Sequence, residues 1–154
     1  STLREEGYRA ALSARGVPID PTLIAAGDYT FESGEAAAAR VLQLAAPPTA
    51  IFAGNDEMAL GVMHEASRRG LATPRDLSVV GFDDIDISQH TNPPLTTVHQ
   101  PIRQKGESAV RVLLTVVARR DLPPEQLRLE TRLIVRGSTG PAPRRRQEVD
   151  RARS

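Results

Sequence analysis

Cysteine is absent from the 154 residues, which removes disulfide cross-links and thiol nucleophiles and fits a cytoplasmic protein. Also missing is any stretch approaching the roughly 18 apolar residues of a membrane span. The N-terminal Ser1-Thr2-Leu3-Arg4-Glu5-Glu6 lacks the features of a signal peptide. Charge of one sign is not in surplus. With 20 Lys and Arg against 19 Asp and Glu the formal net charge is +1, without the strong basic excess of a nucleic-acid surface. His64, His90 and His99 show no metal-ligand spacing, and neither a Gly-rich phosphate loop nor a Ser-His-Asp order stands out. Neither a metal nor a cofactor is therefore expected. What remains, 40% hydrophobic and 25% charged residues, is ordinary globular composition at a length that suits one domain with a core. There is no initiator Met, and the chain starts directly in a helical pattern, so it reads as the later part of a longer protein.

Leu3, Tyr8, Ala11 and Leu12 recur at helical spacing among charged residues, predicting an amphipathic helix from 2 to about 14 that ends at Gly16. After the proline-rich turn 17–21, Leu23 to Ala26 is predicted as a short strand running into Gly27-Asp28-Tyr29. Thr30 or Ser33 caps a second helix through the alanine run 36–39, stopped by Pro47-Pro48. Thr49 to Ala53 has the apolar character of a buried parallel strand and leads into Asn55, a good N-cap for a helix from Glu57 to Arg69 that closes at Gly70. A second apolar strand, Leu77 to Phe82, stops abruptly at Asp83 and Asp84. This βαβ alternation predicts an α/β domain with a mostly parallel sheet flanked by helices, and such sheets bind ligands beyond the carboxyl ends of their strands. Asn55, Asp56, Asp83 and Asp84 lie at that edge. Further on, 95–98 is extended, 103–119 is helical with an apolar face, and Leu127 to Val135 is a last strand. From Gly137 the chain turns Pro/Gly-rich and then Arg-rich, and 141–154 is predicted to be a disordered, solvated tail.

Three phrases carry a resemblance. The stretches from Pro48 to Gly61, Pro74 to Asp84 (with Val79-Val80-Gly81-Phe82-Asp83-Asp84 at its end) and Pro94 to Pro101 are similar, in order and spacing, to the effector-binding domain of the lactose/galactose repressor family. Arg4 to Leu12 and the closing Leu133 to Thr139 also fit, so the resemblance covers roughly residues 1–140. It implies one incomplete periplasmic-binding-protein-like lobe: 1 to about 98 from the second lobe, the helix 103–119 from the first, and the last strand from the second again. The DNA-binding head, the hinge, most of the first lobe and the opening strand of the second would be absent, leaving the apolar face of the helix at 103–119 without a partner. Members of the family are bacterial transcription regulators that dimerise, close on a small effector and bind operator DNA through an N-terminal helix-turn-helix. Operator DNA is then a partner only through a head missing here, the full-length protein is a homodimer, and no membrane partner is implied.

A polyol effector needs donors and acceptors aimed at adjacent hydroxyls and an apolar face for its C–H surface. Matching to the family pattern places such groups at Arg4, Tyr29, Asn55 and Asp83. Each has a plain alternative: a surface ion pair for Arg4, an exposed loop ring for Tyr29, a helix cap for Asn55, and a turn or capping carboxylate for Asp83. Asp56 and Asp84 read as structural. The pair at 83 and 84 invites comparison with glycoside hydrolases, but adjacent residues at a strand end point apart and no second acid stands at the required separation of about 5–10 Å, so an enzyme is not expected. The resulting expectation is the sugar-sensing part of a transcription regulator. A periplasmic sugar-binding protein of a transport system is the alternative.

Overall fold

Local sequence chemistry sets the helices. In the computed structural model, which describes residues 2–118 and 127–143, α1 spans Thr2–Ala14, α2 Phe31–Val41, α3 Asp56–Arg68 and α4 Ile102–Ala118. Thr30 caps α2 by accepting from the Ser33 N–H, and Asn55 caps α3 by accepting from the Met58 N–H. Gly16 and Gly70, at φ +65° and +74°, supply the left-handed residue after α1 and α3. All four predicted helices are present, with bounds within two residues except at the end of α2.

The strands are β1 (Ala50–Phe52), β2 (Ser78–Val80), β3 (Thr97–His99) and β4 (Arg132–Ile134). β1 and β2 pair in parallel, with Ile51 opposite Val79; β3 and β4 pair antiparallel, with Val98 opposite Leu133. The two ladders join where the chain beyond β2 changes neighbours: Gly81 N–H donates to Thr96 C=O and Asp83 N–H to Val98 C=O, both at 2.9 Å. The predicted strand 77–82 is thus shorter, Ser78–Val80, with a bend at Phe82, and beyond it the chain pairs with 96–98 rather than with β1. The predicted strand 127–135 is shorter, because His99 pairs with Arg132 and the next partners along would be Gln100 and Pro101. Proline has no N–H with which to continue a ladder.

Two expectations fail. Leu23 to Ala26 is not a strand: Pro21–Leu23 forms a 3₁₀ turn, and Ile24 is extended (φ −102°, ψ 118°) but no described strand lies beside it. Nor is β1 buried. Ala50 and Phe52 are exposed, Phe52 to 42%, because β2 covers only one of its edges. The tail predicted over 141–154 lies, from residue 144 on, outside the described residues.

The core sits between α2, α3 and the sheet: Ala38, Ala53, Ala59, Val62, Ala66, Leu77, Val79 and Leu95 are buried. α2 and α3 cross at glycines. A Cβ on Gly34 would collide with the Met58 backbone and one on Gly61 with the Phe31 carbonyl, so the helices approach closely only because both positions lack one. The unpartnered face expected on the helix near 103–119 is present in α4: Val110, Leu113, Leu114 and Val117 are 57–63% exposed.

Candidate effector-binding site

At the carboxyl edge of the β1–β2 sheet, four segments converge: the start of α1, the loop 27–30, the turn 54–55 after β1, and 82–84 after β2. Arg4 is the joint between them. Its Nη1 donates to the Gly54 carbonyl at 2.7 Å, and its Nη2 stands 3.7 Å from Asp83 Oδ1. Its guanidinium carbon lies 4.0 Å from the centre of the Phe82 ring and 5.9 Å from that of Tyr29, the stacked placement that a planar cation favours. Phe82 is in turn edge-on to Phe52, with centroids 6.5 Å apart.

Asn55 serves two elements at once. Its Oδ1 caps α3, and its Nδ2 donates to the Tyr29 carbonyl at 2.9 Å. Tyr29 has φ +73°, held by the preceding carboxylate: Asp28 accepts from the Thr30 N–H at 3.1 Å and from its hydroxyl at 2.6 Å. The Thr30 hydroxyl bond also keeps the exposed Asp28 carboxyl below its usual pKa. Asp83 has φ +118° and accepts from the Gln100 amide. The structure therefore brings the four sequence-predicted residues into one neighbourhood, with Arg4 beside Asp83 and Tyr29, and Asn55 beside Tyr29.

Asp84 and Asp56 face inward, as their structural reading required. Asp84 accepts from Arg136 Nη2 at 2.6 Å and contacts His99 Nδ1 at 2.9 Å. Burial raises its pKa, but the hydrogen bonds to Arg136 and His99 outweigh burial and hold the carboxyl below its ordinary value. A carboxyl held ionised is unsuited to donate a proton to a leaving group, so Asp84 does not suit the acid's part in glycoside cleavage. Asp56 is fully buried and accepts from the Ile85 N–H at 2.9 Å and from the Thr97 hydroxyl.

Phe82 and Gln100 also stand in the group, although the sequence did not single them out. Phe82 passed as the last apolar residue of a strand, and Gln100 as the residue leading into Pro101. A cavity of about 480 Å³ is lined by Arg4, Tyr29 and Gly54 but by neither Asn55 nor Asp83. It meets the convergence of polar groups at those three residues.

A parallel sheet with polar side chains gathered at its carboxyl edge defines a binding-protein-like lobe, and comparison with known proteins agrees. The sequence profile of the periplasmic binding protein-like domain matches residues 1–139. The chain belongs to that family and, within it, to the effector-binding part of LacI-type regulators. It is 44% identical over 140 residues to the HTH-type transcriptional repressor CytR of Escherichia coli K12, covering 91% of this chain and 41% of that protein. A solved transcriptional regulator CelR–cellobiose complex superposes with TM-score 0.84 at 39% identity, over 88% of this chain and 41% of the other. A LacI-family regulator from Enterococcus faecium with bound ribose gives 0.81 at 33% identity, over 90% and 51%. The chain spans about two fifths of the length of the curated relatives it matches.

Proposed function

We propose that this chain is the sugar-sensing part of a LacI-type transcription regulator and that Arg4, Tyr29, Asn55 and Asp83 hold the effector. The observation that carries the reading is the Arg4–Asp83 pair: a guanidinium and a carboxylate 3.7 Å apart, at the carboxyl edge of a parallel sheet, with aromatic rings beside them. A sugar enters such a pair by taking a fork of donors on one side and a two-lone-pair acceptor on the other, while a ring face covers its C–H surface. The long Arg4–Asp83 contact leaves room for a hydroxyl to bridge the two groups. Gln100, already on Asp83, extends the acceptor side.

Residues 1–140 act as the sensor unit. In the longer polypeptide, effector held against this lobe favours one arrangement of the lobes in a homodimer, and N-terminal heads read that arrangement on operator DNA. The relatives named above are regulators, which supports control of transcription over transport and over an enzymatic role.

Calorimetric titration of the protein with a panel of sugars that includes cellobiose and ribose tests the reading. One sugar is expected to bind saturably, with Arg4→Ala and Asp83→Ala each weakening it by about tenfold or more, the worth of a charge-assisted hydrogen bond. Binding that ignores both substitutions, or no sugar binding at all, rejects the assignment.

A further inference from the structure

Asp83 sits in a strained backbone conformation that its neighbours hold from both sides. Its φ is +118° and that of Asp84 is +59°, a region that residues with a Cβ enter only where the surroundings over-determine the chain. Asp83 N–H donates to the Val98 carbonyl at 2.9 Å. Asp84 is tied to Arg136 and His99, and the next N–H, that of Ile85, donates to the buried Asp56. The main chain around 83 is therefore fixed before any effector arrives.

The side chain is held by much less. Among the described residues the Asp83 carboxylate accepts one hydrogen bond, from the Gln100 amide onto Oδ1. Arg4, 3.7 Å from the same oxygen, attracts it from beyond hydrogen-bond length. A carboxylate only accepts, so the amide must present its nitrogen to it and not its oxygen. Gln100 is firmly mounted for this. It follows His99, which ends β3 opposite Arg132 and is bound to Asp84. Its carbonyl accepts from the Ile102 N–H at 2.8 Å, and Pro101 restricts the backbone of the residue before it. Neighbours 99 and 100 thus lace neighbours 84 and 83, one side-chain bond to each.

We propose that Gln100 is the positioning residue of the effector site: by occupying Oδ1 it holds the Asp83 carboxylate apart from Arg4 and leaves Oδ2 for an effector hydroxyl. The inference rests on the sugar-sensing reading above. An arginine and a carboxylate free to move close into a bidentate pair, two parallel hydrogen bonds that use the fork and both oxygens at once. A pair closed in that way has spent on itself the groups that a sugar needs. The Gln100 bond is what the carboxylate would have to break to reach Arg4, so the open spacing of 3.7 Å is kept by a side chain that need not touch the sugar.

Calorimetric titration of the 154-residue protein with whichever sugar of the panel it binds tests the role. Gln100→Ala is expected to weaken binding about tenfold. In an Asp83→Ala protein the same substitution should change affinity by less than about twofold, because a residue that acts through Asp83 then has nothing to position. Gln100→Glu adds a signature that packing alone would not give. At roughly pH 8 two carboxylates oppose each other beside Arg4; toward roughly pH 5 they share a proton, because the like charge raises the pKa of one of them. The protonated Glu then donates to Oδ1 as the amide did. Measured against the parent at each pH, which allows for Asp84 and His99 close by, its affinity should recover about fivefold on acidification. That recovery also shows the variant to be folded. Each of these results overturns the proposal: Gln100→Ala binding like the parent, equal losses from Gln100→Ala with and without Asp83, which would make Gln100 a direct contact, or a Gln100→Glu deficit that is the same at both pH values. A parent that binds no sugar fails the sugar reading itself, and this inference with it.

Discussion

The two sides of β2 are built on different terms. On the side of β3, β4 and the closing segment 136–140, buried polar groups are matched to one another. Ser138, fully buried, accepts from the Thr96 N–H at 2.7 Å and donates to the Val79 carbonyl at 2.6 Å. Arg136 ties together Leu95, Ser88 and Asp84, and among the described residues no buried side-chain polar atom lacks a partner. On the side of β1, 24–27 and α1, the same apolar alternation leaves Phe52, Tyr29 and Leu3 exposed. Apolar patterning specifies which face a residue would bury. It buries that face only where a neighbouring element is present to receive it, and on the first side the neighbours are locked in place by hydrogen bonds made in a dry setting.

The largest way to break this contrast is Asp56→Ala. The carboxylate is fully buried at the start of α3 and holds both the Ile85 N–H and the Thr97 hydroxyl, so its removal leaves one buried and one part-buried donor unpaired. The expected cost is about 3 kcal/mol, read as a lower midpoint in urea unfolding. A cost under about 1 kcal/mol would mean that water reaches these donors and that the side is less closed than its hydrogen bonds imply.

Asp84→Asn comes next and carries a pH signature. The folded carboxyl lies below the ordinary 3.8, so the unfolded chain takes up the proton first as the solution is acidified. The stability it supplies is therefore fully present above pH 3.8 and is lost as the pH falls through the lower folded value. At neutral pH the substitution should cost about 2 kcal/mol, since Arg136 then keeps a poorer partner in a part-buried site. In strong acid the variant and the parent should unfold alike. A gap between them that persists unchanged in acid would assign the effect to shape rather than charge.

How much of this was legible follows the same division. The helices could be read because their signals are local: apolar spacing, Thr30 and Asn55 as caps, Gly16 and Gly70 as stops. Strand ends could not, because a strand stops where its partner does, and Pro101 trims β4 from a neighbouring strand thirty residues away in sequence. Arg4 and Asp83 are far apart along the chain, and nothing in either neighbourhood announces the other. Only the resemblance of whole phrases brought them together. Gln100 and Phe82 were missed for the complementary reason: an amide before a proline and an apolar residue ending a strand each have an adequate local explanation. Asp56 reads as a structural carboxylate at the sheet's edge, between the Asn55 cap and a helix expected to begin at Glu57. Its burial depends on Thr97, on a strand that the local sequence does not mention.

The smallest effect belongs to α1 and sharpens the contrast most directly. Leu3 is 79% exposed, and α1 has no buried residue, so Leu3→Ser removes apolar surface that the fold has not withdrawn from water. Its expected cost is within about 0.5 kcal/mol, the range of ordinary surface substitutions. The same chemistry at Leu77, which is fully buried between the sheet and α3, should follow the large-to-small core rule, with Leu77→Ala costing about 3 kcal/mol. Urea unfolding of the two variants beside the parent compares them on one scale. If Leu3→Ser costs as much as a core substitution, the apolar face of α1 is covered in solution, and the open side of the molecule is closed by something it meets there.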